Sequence, residues 1–102
     1  MIQVVAVITT KPGQRERLLE AVRDNLPAVR GEKGCIEYGP VVDAAGFDFQ
    51  TELGPDTFAV VEKWEDADSL KAHAAAPHMA AYAAKVGDLI AERAVYILTS
   101  AE

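Results

Sequence analysis

Two histidines, His73 and His78, stand five residues apart, with Pro77 immediately before the second. Imidazole is the side chain best suited to moving protons near neutral pH. The local pattern places His73 at the end of one short helix and His78 in the first turn of the next. Opposite ends of two helix dipoles then put the rings in different fields. Two titratable groups in contrasting surroundings are acid and base candidates. Two ordinary polar residues at a helix break would give the same pattern. A metal site is not expected, because this spacing across a proline is no recognised ligand pattern and no cysteine cluster assists it.

Glu62 and Trp64 alternate with Phe58 and Val60 along TFAVVEKW. Period-2 geometry puts all four on one strand face. A carboxylate on an otherwise apolar face needs a partner or costs stability. Two partners fit: a pocket histidine that it orients, or a Lys or Arg near the strand end. Trp64 suits the core or the wall of a pocket for a flat aromatic ligand. Tyr38 and Tyr82 offer hydroxyls to the same cavity, and both also fit plain packing. Cys35, the one cysteine, reads as a small buried hydrophobe rather than a nucleophile. There is no Gly-rich phosphate loop and no Ser nucleophile elbow.

The elements that must position these side chains follow from periodicity. Ile2 to Ile8 is β-branched and apolar on both faces, as expected of a central strand. Lys11-Pro12-Gly13 breaks it. Residues 14–30 take helical spacing, with Leu18, Leu19, Val22, Leu26 and Val29 on one stripe. Pro27 is expected to kink or loosen the last turn. Gly31 and Gly34 mark the exit. Cys35 to Val42 is a second strand, and Gly39-Pro40 assigns it to an edge, with a bulge expected there.

Residues 43–56 carry turn signals at Gly46 and Gly54-Pro55-Asp56, with Phe47 and Phe49 between them. An extended hairpin or an arm laid on a second subunit is expected, against the plainer alternative of a surface loop. Residues 57–64 form the third strand. Asp66 is a good N-cap for a short helix, and Pro77 opens another. That second helix carries Met79, Tyr82, Ala83, Val86, Leu89 and Ile90 on one side, and Arg93 to Leu98 is the fourth strand. The order is that of an α+β ferredoxin-like fold, βαββαβ with an antiparallel sheet.

With 102 residues, ten Lys and Arg, sixteen Asp and Glu and a net charge of −6, the chain is one small acidic domain, about residues 2–98. It lacks the basic face that nucleic acid requires. No apolar run approaches a membrane span, and the N-terminus reads as a strand rather than a signal peptide. A lone cysteine suits a reducing cytoplasm. A domain of about 100 residues buries only about two-thirds of its unfolded surface. It is ill-sized to wrap a flavin or dinucleotide, so a surface-sharing dimer or a simple binding module is expected.

The run EKWEDADSLKAHAAAPHMAAYAAKV resembles the signature stretch of the antibiotic biosynthesis monooxygenase domain family, which often reads E-x-W, then L-x-x-H, then a small residue, Pro and His. Glu62, Trp64, Leu70, His73, Pro77 and His78 carry the match. Lys11-Pro12-Gly13 and Gly34-Cys35 to Tyr38 are also similar, and the likeness spans residues 2–98. The resemblance implies a homodimeric α/β barrel with a pocket between sheet and helices in each subunit. It implies, for some members, oxygenation of phenols or quinols by O2 with no cofactor. His78 is then the leading base, with His73, Glu62, Tyr38 and Trp64 orienting protons or lining the pocket, and Tyr82 beside them. Haem degradation is not expected, because the relatives that perform it use an Asn from the first strand, and here the only Asn is Asn25 in the first helix. The 43–56 segment is longer than the turn many members have there.

Three activities compete at this point. One is a cofactor-independent monooxygenase acting on a quinol or hydroxylated aromatic. Another is an isomerase of a small signalling metabolite. The third is a non-catalytic dimeric small-molecule-binding or stress-response domain.

Overall fold

The computed structural model describes residues 1–102. Its elements run β1 (Ile2–Thr10), α1 (Arg15–Arg30), β2 (Cys35–Val41), β3 (Thr57–Trp64), α2 (Ala67–Ala74), α3 (Pro77–Val86), a 3-10 turn at Gly87–Leu89, and β4 (Ile90–Leu98). The four strands form one antiparallel sheet in the order β2-β3-β1-β4. This is the ferredoxin-like arrangement, its second helix divided by Ala75 and Ala76. β1, the most uniformly apolar strand, lies at the centre and β2 at an edge, as the composition required.

The helices cover one face of the sheet. Register puts Val4, Ala6 and Ile8 of β1 beside Glu62, Val60 and Phe58 of β3 on that face. Two apolar clusters form beneath the helices. The larger joins Ala6, Ile8, Phe58 and Val60 to Leu18, Leu19, Ala21 and Val22 of α1 and to Val86. The smaller joins Val4, Val29 and Trp64, with Cys35, Leu70 and Met79 packed against it. α1 therefore buries the stripe expected of it.

Several sequence expectations need correction. The bulge in β2 is not at Gly39-Pro40: the register slips between Cys35 and Glu37, at Ile36, and Pro40 pairs in register with Val60. An edge strand tolerates that proline because its missing N–H need not face a neighbour. α1, by contrast, runs through Pro27 to Arg30 as the helical spacing over residues 14–30 predicts, and its last turn closes through Gly31 N–H to Pro27 O at 3.1 Å. α3 stops at Val86, so Leu89 and Ile90 lie in the 3-10 turn and the start of β4. Their apolar spacing imitates a helix while serving a strand entry.

Residues 43–56 form no hairpin strands. The segment is instead pinned at its base. The Asp43 carboxylate accepts from Leu53 N–H and Gly54 N–H at 2.8 and 2.9 Å, and Arg15 donates to Gly54 O at 3.1 Å. The two backbone bonds hold the Asp43 carboxyl below its ordinary value. Phe47 and Phe49 meet edge to face, ring centres 5.8 Å apart, and both are exposed.

Candidate active site

A polar break separates the two apolar clusters on the helix-covered face. Glu62 follows Val60 and precedes Trp64 on that face of β3, and its residual exposure is only 6%. Tyr38, opposite Glu62 on β2, packs against both clusters. Period-2 alternation thus delivers a carboxylate, an indole and a phenol to one place.

The helical side supplies the imidazoles. Asp66, extended at the N-cap of α2, accepts from Ser69 N–H at 2.8 Å and sets where α2 starts. His73 then falls in the last turn of α2. Pro77 at the first position of α3 restarts the helix and brings His78 beside it, ring centres 6.5 Å apart. His73 lies against Trp64 at 4.7 Å and meets Tyr38 edge to face at 5.5 Å.

Both imidazoles are held by Glu32, a residue the sequence reading missed. His73 Nδ1 is 2.9 Å from Glu32 Oε2, and His78 Nε2 bonds Glu32 Oε1. Glu32 stands in the Gly31–Gly34 turn between α1 and β2. Gly34 has φ +82°, and a Cβ there would lie 2.1 Å from Ser69 Oγ. Only glycine lets the turn press so closely on the start of α2. Glu65 N–H donates to Gly34 O at 2.8 Å and ties the turn to the end of β3. The flanking glycines gave a turn signal, but nothing local pointed Glu32 at residues 41 and 46 positions away.

The electrostatics follow from burial. Desolvation raises the Glu62 carboxyl above its ordinary value, opposed by the hydrogen bond from Trp64 Nε1 at 2.9 Å and by nearby His73. Desolvation, reinforced by Glu62, pushes the Tyr38 phenol far above its usual range. The phenol is therefore held in its protonated form. Burial also raises the Cys35 thiol, with Glu32 and Glu62 adding to it, which suits a packing role. Tyr82, raised by burial and partly offset by Arg93, rests on the larger apolar cluster and has no hydrogen bond to the imidazole group. A cleft of about 300 Å³ lies beside β2, lined by Arg30, Cys35, Ile36, Glu37 and Tyr38. Tyr38 is the one residue it shares with the polar group, and neither imidazole lines it.

Of the six residues singled out from sequence, the structure gathers His73, His78, Glu62, Trp64 and Tyr38, adds Glu32, and leaves Tyr82 on α3 against the larger apolar cluster, near Tyr38 but not bonded to the imidazoles. A ferredoxin-like sheet whose helix-covered core is interrupted by a carboxylate-bridged histidine pair defines a small α+β protein with a polar group set between two apolar clusters. The chain belongs to the antibiotic biosynthesis monooxygenase family, whose pattern its residues 1–85 match. Among curated relatives it is 41% identical over 101 residues to "Probable quinol monooxygenase YgiN" of Escherichia coli strain K12, covering 96% of each chain. Among solved structures it superposes on PA3566 from Pseudomonas aeruginosa with TM-score 0.80 and 23% identity, covering 99% of this chain and 94% of that one. Rv0793 from Mycobacterium tuberculosis gives TM-score 0.80 and 24% identity, covering 99% and 95%. These structural likenesses establish the shared fold.

Proposed function

We propose that this protein is a cofactor-independent monooxygenase that oxidises a quinol or related hydroxylated aromatic with O2, a histidine of the His73–His78 pair taking the hydroxyl proton. The observation that carries the reading is the pair of imidazoles bridged by Glu32 and walled by Trp64 and Tyr38. The name of the Escherichia coli relative supports the substrate class.

The chemistry asks little of the protein. Removing a proton from an electron-rich quinol leaves the O–H electron pair on oxygen, and the anion can itself reduce O2. One oxygen atom enters a ring carbon and the other leaves as water, so quinol and O2 give hydroxyquinone and water. The substrate supplies all four electrons. The site contributes a base, a hydrogen-bond donor for the anion in Tyr38, and an aromatic wall in Trp64. Glu32 and Glu62, near enough that Glu32 helps raise the Glu62 carboxyl, weigh against an anionic substrate, including a phosphorylated one for the isomerase alternative.

A homodimer completes the proposal. Val95, Tyr96, Ile97 and Leu98 of β4 are all exposed in the single chain, and a second subunit would cover them. A reducing cytoplasm suits the free Cys35. The test is oxygen uptake over a panel of quinols, with wild type set against His73→Ala and His78→Ala. Enzyme-dependent uptake that falls in these variants is expected. Uptake that neither substitution reduces would remove the histidine mechanism, and no uptake across the panel would favour a non-catalytic binder.

A further inference from the structure

We infer that Glu32 is a positioning residue whose single carboxylate locks both imidazoles in one tautomeric arrangement, leaving Nε2 of His73 as the lone pair that accepts the substrate's proton. The second half of this inference rests on the monooxygenase reading above.

A carboxylate only accepts hydrogen bonds, so each ring nitrogen facing Glu32 must be a donor. His73 presents Nδ1 to Glu32, which leaves its Nε2 bare. His78 presents Nε2, which leaves its Nδ1 bare. The two bare nitrogens are not equivalent. His78 Nδ1 is buried with no partner at all. A lone pair is tolerable there, whereas an N–H would be an orphaned donor sealed from water. His73 Nε2 has no protein partner and is not sealed in this way. It belongs to the ring flanked by the Trp64 indole and the Tyr38 edge. Of four ring nitrogens, two are committed to Glu32, one is closed off, and one is unpaired, on a largely buried ring beside the aromatic wall.

The roles divide accordingly. In the proton step the quinol O–H bond breaks, an Nε2–H bond forms on His73, and the electron pair stays on the substrate oxygen. The Glu32 carboxylate already bonded to Nδ1–H stabilises the imidazolium that results. His78 occupies the other oxygen of Glu32 and stops the carboxylate from turning away. The Gly34 turn, tight against α2, holds the backbone from which Glu32 reaches.

The test uses the full chain with nitrogen-15-labelled histidine. In wild type, His73 should show Nδ1 protonated and Nε2 bare, and His78 the reverse. Glu32→Gln replaces one of the two acceptor oxygens with a donor NH2 that faces a ring nitrogen, so at least one ring should change or average its tautomer. Glu32→Asp keeps an acceptor-only group and should restore the wild-type pattern in part. With a quinol substrate, Glu32→Gln should lower kcat by about 100-fold, the lower end of what a positioned general base contributes, while KM moves by less than about threefold. His73→Gln should lose more activity than His78→Gln. The Glu32→Gln/His73→Gln double variant should be no slower than His73→Gln alone, because Glu32 acts through His73. Urea midpoints identify any variant that has merely lost its fold. An unchanged nitrogen spectrum in folded Glu32→Gln would overturn the positioning role, and a larger loss in His78→Gln than in His73→Gln would overturn the choice of base. If wild type consumes no oxygen with any quinol, the monooxygenase reading and the base assignment fall together, while the nitrogen spectrum still decides the role of Glu32.

Discussion

The Trp64 indole N–H donates to Glu62 Oε1 at 2.9 Å, from two residues further along the same face of β3. The bond gives a buried carboxylate its one protein partner and fixes the indole plane against His73. Trp64→Phe keeps an aromatic wall and deletes the donor. The expected cost is about 1–3 kcal/mol, the penalty for leaving a buried polar group unpaired, together with a further rise of the Glu62 carboxyl. Urea unfolding measures the first effect and carboxyl carbon NMR the second. A Trp64→Phe protein as stable as wild type, with Glu62 titrating unchanged, would show that the bond contributes nothing.

Stability should depend on pH through Glu62. Burial raises its folded value above the ordinary 4.5. A carboxyl raised in this sense contributes its full stability below the unfolded value and loses it as pH rises through the folded one. At neutral pH the buried charge is therefore a liability. Glu62→Gln removes the charge and keeps an oxygen to accept from Trp64. It should be more stable than wild type near neutral pH, and the gap should close as the pH falls to the ordinary carboxyl range. Urea midpoints across that range read it directly. A gap independent of pH would contradict the argument.

Gly34→Ala tests how the turn seats the histidines. The added Cβ would meet Ser69 Oγ at 2.1 Å on a backbone with φ +82°. The strain alone should cost about 1–3 kcal/mol, and relief of the clash should draw Glu32 away from the imidazoles. Adding Ser69→Gly removes the clash but not the backbone strain, so it should recover only part of the loss. Full recovery in the double variant would mean the left-handed conformation is not needed.

What could be read from sequence, and what could not, divides by distance along the chain. The face shared by Phe58, Val60, Glu62 and Trp64 was legible because alternation is local and all four are buried together. Asp66 and Pro77 were legible for the same reason, since caps and first-turn prolines act within one helical turn. Glu32 was not. Its contacts with His73 and His78 depend on how a glycine turn packs against a helix formed much later in the chain. The end of α3 misled because Leu89 and Ile90 continue helical spacing past Gly87, which has φ −52° and gives no left-handed stop. The bulge misled because Gly39-Pro40 is the conspicuous pair, while the slip at Ile36 depends on the register with β3.

Dimerisation predicts concentration-dependent melting. On β4, register turns Tyr96 and Leu98 to the helix-free face and Val95 and Ile97 to the other, and the four are between 41% and 62% exposed. Val41 of β2, on the helix-free face with Tyr96, is also exposed. An edge strand apolar on both sides is an aggregation hazard unless something covers it. If a second copy does so, dilution should lower the melting temperature, because association stabilises the folded chain by mass action. Removal of residues 44–55 then separates two roles for the Phe47–Phe49 segment. An arm on the partner predicts a shift from dimer toward monomer and a lower melting temperature for the deletion. A deletion that stays dimeric with unchanged stability would make the segment a surface loop. Melting independent of concentration in the intact chain would show instead that one subunit is stable with β4 uncovered.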